Sequence, residues 1–188
     1  MKTRNLKLTA LLGATALAVS FSGPAAAATN TATLPVTASV AASCSISTTA
    51  VAFGAYDPIV ANAAAGSDLN QGTNGTIVVN CLAGSTSVSI GLNNGGNYSG
   101  GVRNMVGGVS GGLLAYHLYL PSATTPSAAC TFPGTTEWGT TIGTDTLDPA
   151  DGTWDGTDKT FYVCGTVPKG QSPAADSYTD SVTASVNF

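Results

Sequence analysis

Ala32-Thr33-Leu34-Pro35-Val36-Thr37-Ala38-Ser39-Val40 is the stretch on which the fold turns. Apolar residues occupy every even position, and the odd positions carry threonine, serine or proline. A strand points successive side chains to opposite faces, so this pattern predicts a strand with one apolar and one polar face. Pro35 removes one ladder N–H but lies on the polar face, so the apolar row stays intact.

Outward from this segment the same signal recurs. Residues 43–47 and 51–56 are short strand candidates, and Gly75-Thr76-Ile77-Val78-Val79-Asn80-Cys81 carries a β-branched run. Residues 85–92 alternate through Val88, Ile90 and Leu92, ahead of the turn cluster Asn93-Asn94-Gly95-Gly96-Asn97. Residues 113–120 predict a strand that Pro121 stops, and residues 161–167 predict another around Cys164. Tyr178, Val182, Ala184, Val186 and Phe188 alternate again up to the last residue. Residues 61–74 and 122–159 read as loops. No twelve-residue window has helical periodicity, and no internal repeat is present. Many short strands between turn signals predict an all-β sandwich. Strands at both ends of such a chain need partners, because termini fray unless tied down.

On the N-terminal side, Lys2, Arg4 and Lys7 precede an apolar run from Leu8 to Phe21 and the small residues Pro24-Ala25-Ala26-Ala27-Ala28. This is the pattern of a secretory signal peptide over residues 1–28, with cleavage after Ala27 or Ala28. An N-terminal extension then covers 29–42, and one domain covers 43–188.

Composition agrees with an exported, folded chain. Hydrophobic residues make up 43% and charged residues 9%, which is far from a disordered composition. Without the signal, Arg103, Lys159 and Lys169 face ten acids. Three scattered cations cannot neutralise a phosphate backbone, which excludes nucleic acid as a partner.

Cys44, Cys81, Cys130 and Cys164 form an even set, which in an exported chain predicts disulfides. No metal-ligand spacing is present and His117 is the sole histidine, so no metal or cofactor is expected. Three connectivities are open. The favoured one joins Cys44 to Cys81 and Cys130 to Cys164, each closing a loop of about 35 residues worth about 4 kcal/mol.

No catalytic set emerges. His117 sits in a strand pattern, there is no G-x-S-x-G, and Glu137 is the only glutamate. Asp145, Asp148, Asp151, Asp155 and Asp158 lack the order of a calcium loop and read as turn formers. Trp138 and Trp154 are expected to pack loops onto the core. The competing reading has them exposed for sugar stacking.

Cys44-Ser45-Ile46, Val51-Ala52-Phe53-Gly54-Ala55-Tyr56-Asp57, Arg103-Asn104-Met105, Leu114-Ala115-Tyr116-His117-Leu118-Tyr119 and Val167-Pro168-Lys169-Gly170 with Asp176-Ser177-Tyr178-Thr179-Asp180-Ser181-Val182 occur in that order. Together they resemble the spore coat protein U family, which includes the subunits of archaic, Csu-type chaperone–usher pili. The resemblance implies an incomplete immunoglobulin-like β-sandwich that lacks its final strand, with Cys44–Cys81 matching the family's disulfide. Cys130–Cys164 is an added bridge, in a region where the chain departs from the family.

The implied donor strand is Ala32, Leu34, Val36, Ala38 and Val40, and the implied acceptor groove is bordered by Tyr178, Val182, Ala184, Val186 and Phe188. The implied function is a pilus-shaft subunit, exported through the periplasm to an extracellular fibre serving adhesion and biofilm formation. Identical subunits, a periplasmic chaperone, an outer-membrane usher and a tip adhesin are its implied partners. The alternative is a carbohydrate- or surface-binding tip adhesin.

Overall fold

The computed structural model describes residues 28–188. Residues 1–27, which hold nearly all of the expected signal peptide, lie outside the described residues. The chain divides into two units, Met1–Ser39 and Val40–Phe188. In the first unit, the described residues take up no strand and are exposed throughout, with Leu34 83% and Val36 87% accessible.

The second unit is all-β, and no helix occurs among the described residues. Its strands are β1 (Cys44–Thr49), β2 (Leu69–Gln71), β3 (Thr76–Cys81), β4 (Ser89–Leu92), β5 (Arg103–Gly107), β6 (Leu113–Tyr119), β7 (Lys159–Tyr162), β8 (Cys164–Val167), β9 (Tyr178–Thr179) and β10 (Ala184–Asn187). They form three sheets, ordered β1-β3-β7, β10-β4 and β2-β8-β6-β5-β9, and every pairing is antiparallel.

One apolar core receives side chains from all three sheets. In β3 the inward row is Ile77, Val79 and Cys81, and in β6 it is Leu114, Tyr116 and Leu118. These alternations follow from the pleat, which gives each strand one inner and one outer row. The β4 strand is buried on both faces, because the loop at Gly139 and Thr140 closes against Gly91.

Several expectations need correction. Residues 161–167 are not one strand: β7 pairs with β3 in one sheet and β8 pairs with β6 in another, so the ladder breaks at Val163. The last strand breaks in the same way, since β9 pairs with β5 and β10 with β4. Residues 51–56 take up no strand, and only 89–92 of the 85–92 stretch do. A strand needs a ladder partner as well as a pattern. Conversely, β2 lies in a stretch that reads as a loop, and β5 in one where no strand is expected.

Residues 122–158 are free of strands, as their turn-forming composition predicts. They are anchored by side chains. Trp138 is 0% and Trp154 3% exposed, and Trp154 packs against Phe161 at a ring separation of 6.3 Å. Burial leaves neither indole free to stack on a sugar. Each aspartate of the acidic run accepts hydrogen bonds from nearby groups. Asp148, for example, accepts from the Thr146 hydroxyl at 2.8 Å and Asp151 from the Ser87 N–H at 3.0 Å.

The disulfides pair Cys44 with Cys81 and Cys130 with Cys164. The first joins residues directly opposite in the β1–β3 register, and the second ties the strand-free region to β8. Replacing Cys130 and Cys164 together by alanine is expected to cost about 2–5 kcal/mol, read as a lower urea midpoint. Non-reducing peptide mapping should recover these two cross-links and no others.

Candidate functional site

Beside the core runs a mainly apolar cleft in two adjoining parts, of ≈ 400 and ≈ 770 Å³. Ile77, Leu92, Tyr116 and Leu118 form the floor of the first part. One flank comes from the end of β1 and the residues after it, including Val51 and Phe53. The other comes from Tyr178 to Ala184, across the break between β9 and β10. Val51, Phe53, Met105 and Tyr178 line both parts, so the two adjoin along these residues.

The backbone on both flanks has strand edges without partners. β1 is an edge strand bonded only to β3, β9 is an edge strand bonded only to β5, and β10 is bonded only to β4. β1 and β10 approach each other without sharing a ladder. An apolar trough between open edges is the form a sheet takes where a strand could be added.

Two local features fix the positions of the flanks. Phe53 and Val51 lie against β8 at Gly165, where a Cβ would come within 2.7 Å of the Phe53 ring and 2.8 Å of Val51. Only glycine admits this contact. On the opposite flank, Asp180 accepts from the Tyr116 hydroxyl at 2.6 Å, the Gly96 N–H at 3.0 Å and the Asn97 side-chain amide at 3.0 Å. Burial, followed by the bond to Asp180, pushes the Tyr116 hydroxyl well above the usual tyrosine range. It therefore stays a neutral donor at any physiological pH.

Tyr178, Val182 and Ala184, three of the five expected groove residues, line the cleft. Val186 packs half-buried against the core outside the lining, and Phe188 is 55% exposed and also outside it. The expected donor residues Leu34, Val36 and Val40 are strongly exposed. Sequence reasoning did not place the floor residues, nor Val51, Phe53 and Met105, in the cleft. The alternation of Val51 and Phe53 was the one local sign of a role there. His117 lies on the outer face of β6, bonded to the Glu137 carboxylate and stacked on Tyr119, away from the cleft.

Residues 30–185 match the Spore Coat Protein U domain. The chain belongs to this family. It is 38% identical over 192 residues to Protein U of Myxococcus xanthus, an alignment that covers 96% of this chain and 97% of that one. Among solved structures, 79% of the chain resembles part of the CsuC–CsuE chaperone–tip adhesion subunit pre-assembly complex from archaic chaperone-usher Csu pili of Acinetobacter baumannii. The identity is 21% and the TM-score 0.47, and the match spans 40% of that chain. In this Spore Coat Protein U domain, the family match takes in both the exposed 32–40 segment and the cleft.

At the far end of the cleft, Asp176 clamps the β5–β6 hairpin. Its carboxylate accepts from the N–H groups of Ser110 at 2.7 Å and Val109 at 2.9 Å. These bonds, that from Ser110 first, push its pKa down to about 2. A depressed carboxylate stabilises the fold above its unfolded pKa of about 4, and loses that contribution as pH falls through the folded value. The Val109 and Ser110 amides should therefore stay protected from exchange as acid is added, and open only as pH nears about 2, read by NMR.

Proposed function

We propose that this chain is a structural subunit of an extracellular pilus shaft, built by donor-strand exchange on the chaperone–usher pathway. In this reading the second unit is an incomplete immunoglobulin-like sandwich. Residues 32–40 of one copy fill the cleft of the next. The observation that carries it is the apolar cleft between strand edges that have no ladder partner. The same chain holds a segment of matching chemistry, whose apolar row is exposed.

Nine extended residues span ~30 Å. Burying Leu34, Val36 and Val40 contributes roughly 5–8 kcal/mol gross, at about 1.5–3 kcal/mol each. Backbone pairing on both edges adds to this. Exchange between identical subunits is head-to-tail and does not close, so it makes filaments. An open apolar cleft needs cover during export, which is the part of a periplasmic chaperone, and an outer-membrane usher would exchange that cover for the next subunit.

The family's description favours a second reading, in which the same exchange links copies into a spore coat layer instead of a free fibre. Electron microscopy of producing cells separates the two. The shared core of both readings is tested on the mature chain alone. It should polymerise or aggregate at its open edge, and deletion of residues 31–40 should leave it unable to form ordered polymers. A stable monomer with a cooperative melt and no added strand would count against both readings.

A further inference from the structure

The geometry points to Asn93 and Asp180 as positioning residues that hold one flank of the cleft open for an incoming strand. This inference rests on the accepting role proposed above for the cleft.

Residues 180–183 lie between β9, which belongs to one sheet, and β10, which belongs to another. No sheet ladder supports them, yet Asp180, Ser181 and Val182 line the cleft. Their support comes from the 93–97 turn. The β4–β10 register places Asn93 opposite Thr183, one step beyond the Leu92–Ala184 pair. Half of the expected two-bond pair is present, with the Asn93 N–H donating to the Thr183 carbonyl at 3.0 Å.

The other half is replaced. The Asn93 carbonyl accepts from the Arg103 guanidinium, Nε at 3.1 Å and Nη2 at 2.9 Å. The Asn93 side-chain Oδ1 stands in for that carbonyl, accepting from the Thr183 N–H at 2.9 Å and the Gly95 N–H at 3.0 Å. Asp180 then fastens the other end of the segment to Gly96, Asn97 and Tyr116. Gly95 has φ +80°, and a Cβ there would strike the Asp180 carboxylate, so this turn admits glycine alone.

Two side chains thus do what a ladder does elsewhere. Without them the segment loses its tether to the 93–97 turn and to Tyr116, and Val182 can settle across the cleft toward Val51 and Phe53. The flank would close over the apolar floor, and an incoming strand would find no trough.

The test uses the full mature chain. Asn93→Ala and Asp180→Ala should each lower the polymerisation rate at least tenfold. Asn93→Asp keeps an acceptor oxygen at the same place and should restore it. Hydrogen exchange at β3 and β6 and both disulfides should match the parent. The donor segment of Asn93→Ala is intact, and so is the cleft of a Val36→Asp chain, so mixing the two should give heterodimers that do not extend.

Parent-like polymerisation by both alanine variants overturns this inference alone. So does failure of Asn93→Asp to rescue, or loss of β3 and β6 protection in the alanine variants, which would make the role merely structural. Unimpaired polymerisation of Val36→Asp on its own would instead remove the donor-strand reading, and this inference with it.

Discussion

The Val36→Asp chain is expected to fold, keep both disulfides and make no fibres. Val36 is the central residue of the apolar row and 87% exposed in the free segment, so the substitution leaves the subunit's own core untouched. In an assembled fibre the same position would face an apolar floor of Ile77, Leu92 and Leu118 in the neighbouring copy. A carboxylate buried there without a partner costs several kcal/mol, comparable to much of the apolar gain of the whole segment. A loss of about 4 kcal/mol lowers the exchange equilibrium about a thousandfold.

Thr37→Asp introduces the same charge one residue away. The pleat turns that residue outward, so this chain should assemble normally. Fibre yield by electron microscopy and polymer size by light scattering provide the comparison. Equal yields from the two variants would mean that residues 32–40 are not the donor.

The second large effect concerns stability. Trp138→Ala should destabilise the folded body by about 3–5 kcal/mol, a large share of the 5–15 kcal/mol that holds a domain together. Trp138 is the largest wholly buried side chain, and it closes the core from a region without strands. Its indole N–H donates to the Ile90 carbonyl at 2.8 Å, and its backbone N–H to the Leu118 carbonyl at 2.8 Å. Its own carbonyl accepts from buried Arg103. Removing the ring leaves a cavity between β4 and β6 that the backbone bonds prevent from collapsing.

Trp138→Phe should cost much less. The Ile90 carbonyl also accepts from the Leu147 N–H at 2.9 Å and would not be orphaned. Urea unfolding of the disulfide-intact chain measures both. A Trp138→Ala midpoint close to that of the parent would show that the 122–158 region is not part of the cooperative core.

These expectations rest on features that differ in how far a linear sequence reveals them. The strands β3 and β6 were legible from local residue types, a β-branched run at 75–81 and an apolar stretch that Pro121 stops. So were the turn cluster at 93–97 and the cysteine set. The apolar row at 32–40 follows the two-residue period and precedes the first cysteine of the body, yet it takes up no strand because no ladder partner lies beside it. The alternation put Tyr178, Val182 and Ala184 in one row, and the family resemblance implied that this row borders a groove. That alternation also took in Val186, which packs on the core, and Phe188, which is exposed outside the cleft. Period two says which residues share a face, and not where a sheet ends.

The sheet switches at Val163 and at 180–183 left no local mark, because each is decided by which distant strand offers a ladder. The strand β2 was invisible for the same reason, being three residues long and defined by pairing with β8. The cleft floor draws Ile77, Leu92, Tyr116 and Leu118 from three strands far apart in sequence. The Asn93 carbonyl turns away from its ladder only because folding brings Arg103 beside it. Sequence by itself determined the all-β class, most of the longer strands and the even cysteine set, all consequences of local backbone geometry and composition. Tertiary structure alone decided where the ladders stop and the cleft opens, because a hydrogen-bond ladder belongs to pairs of strands and is not encoded in either one.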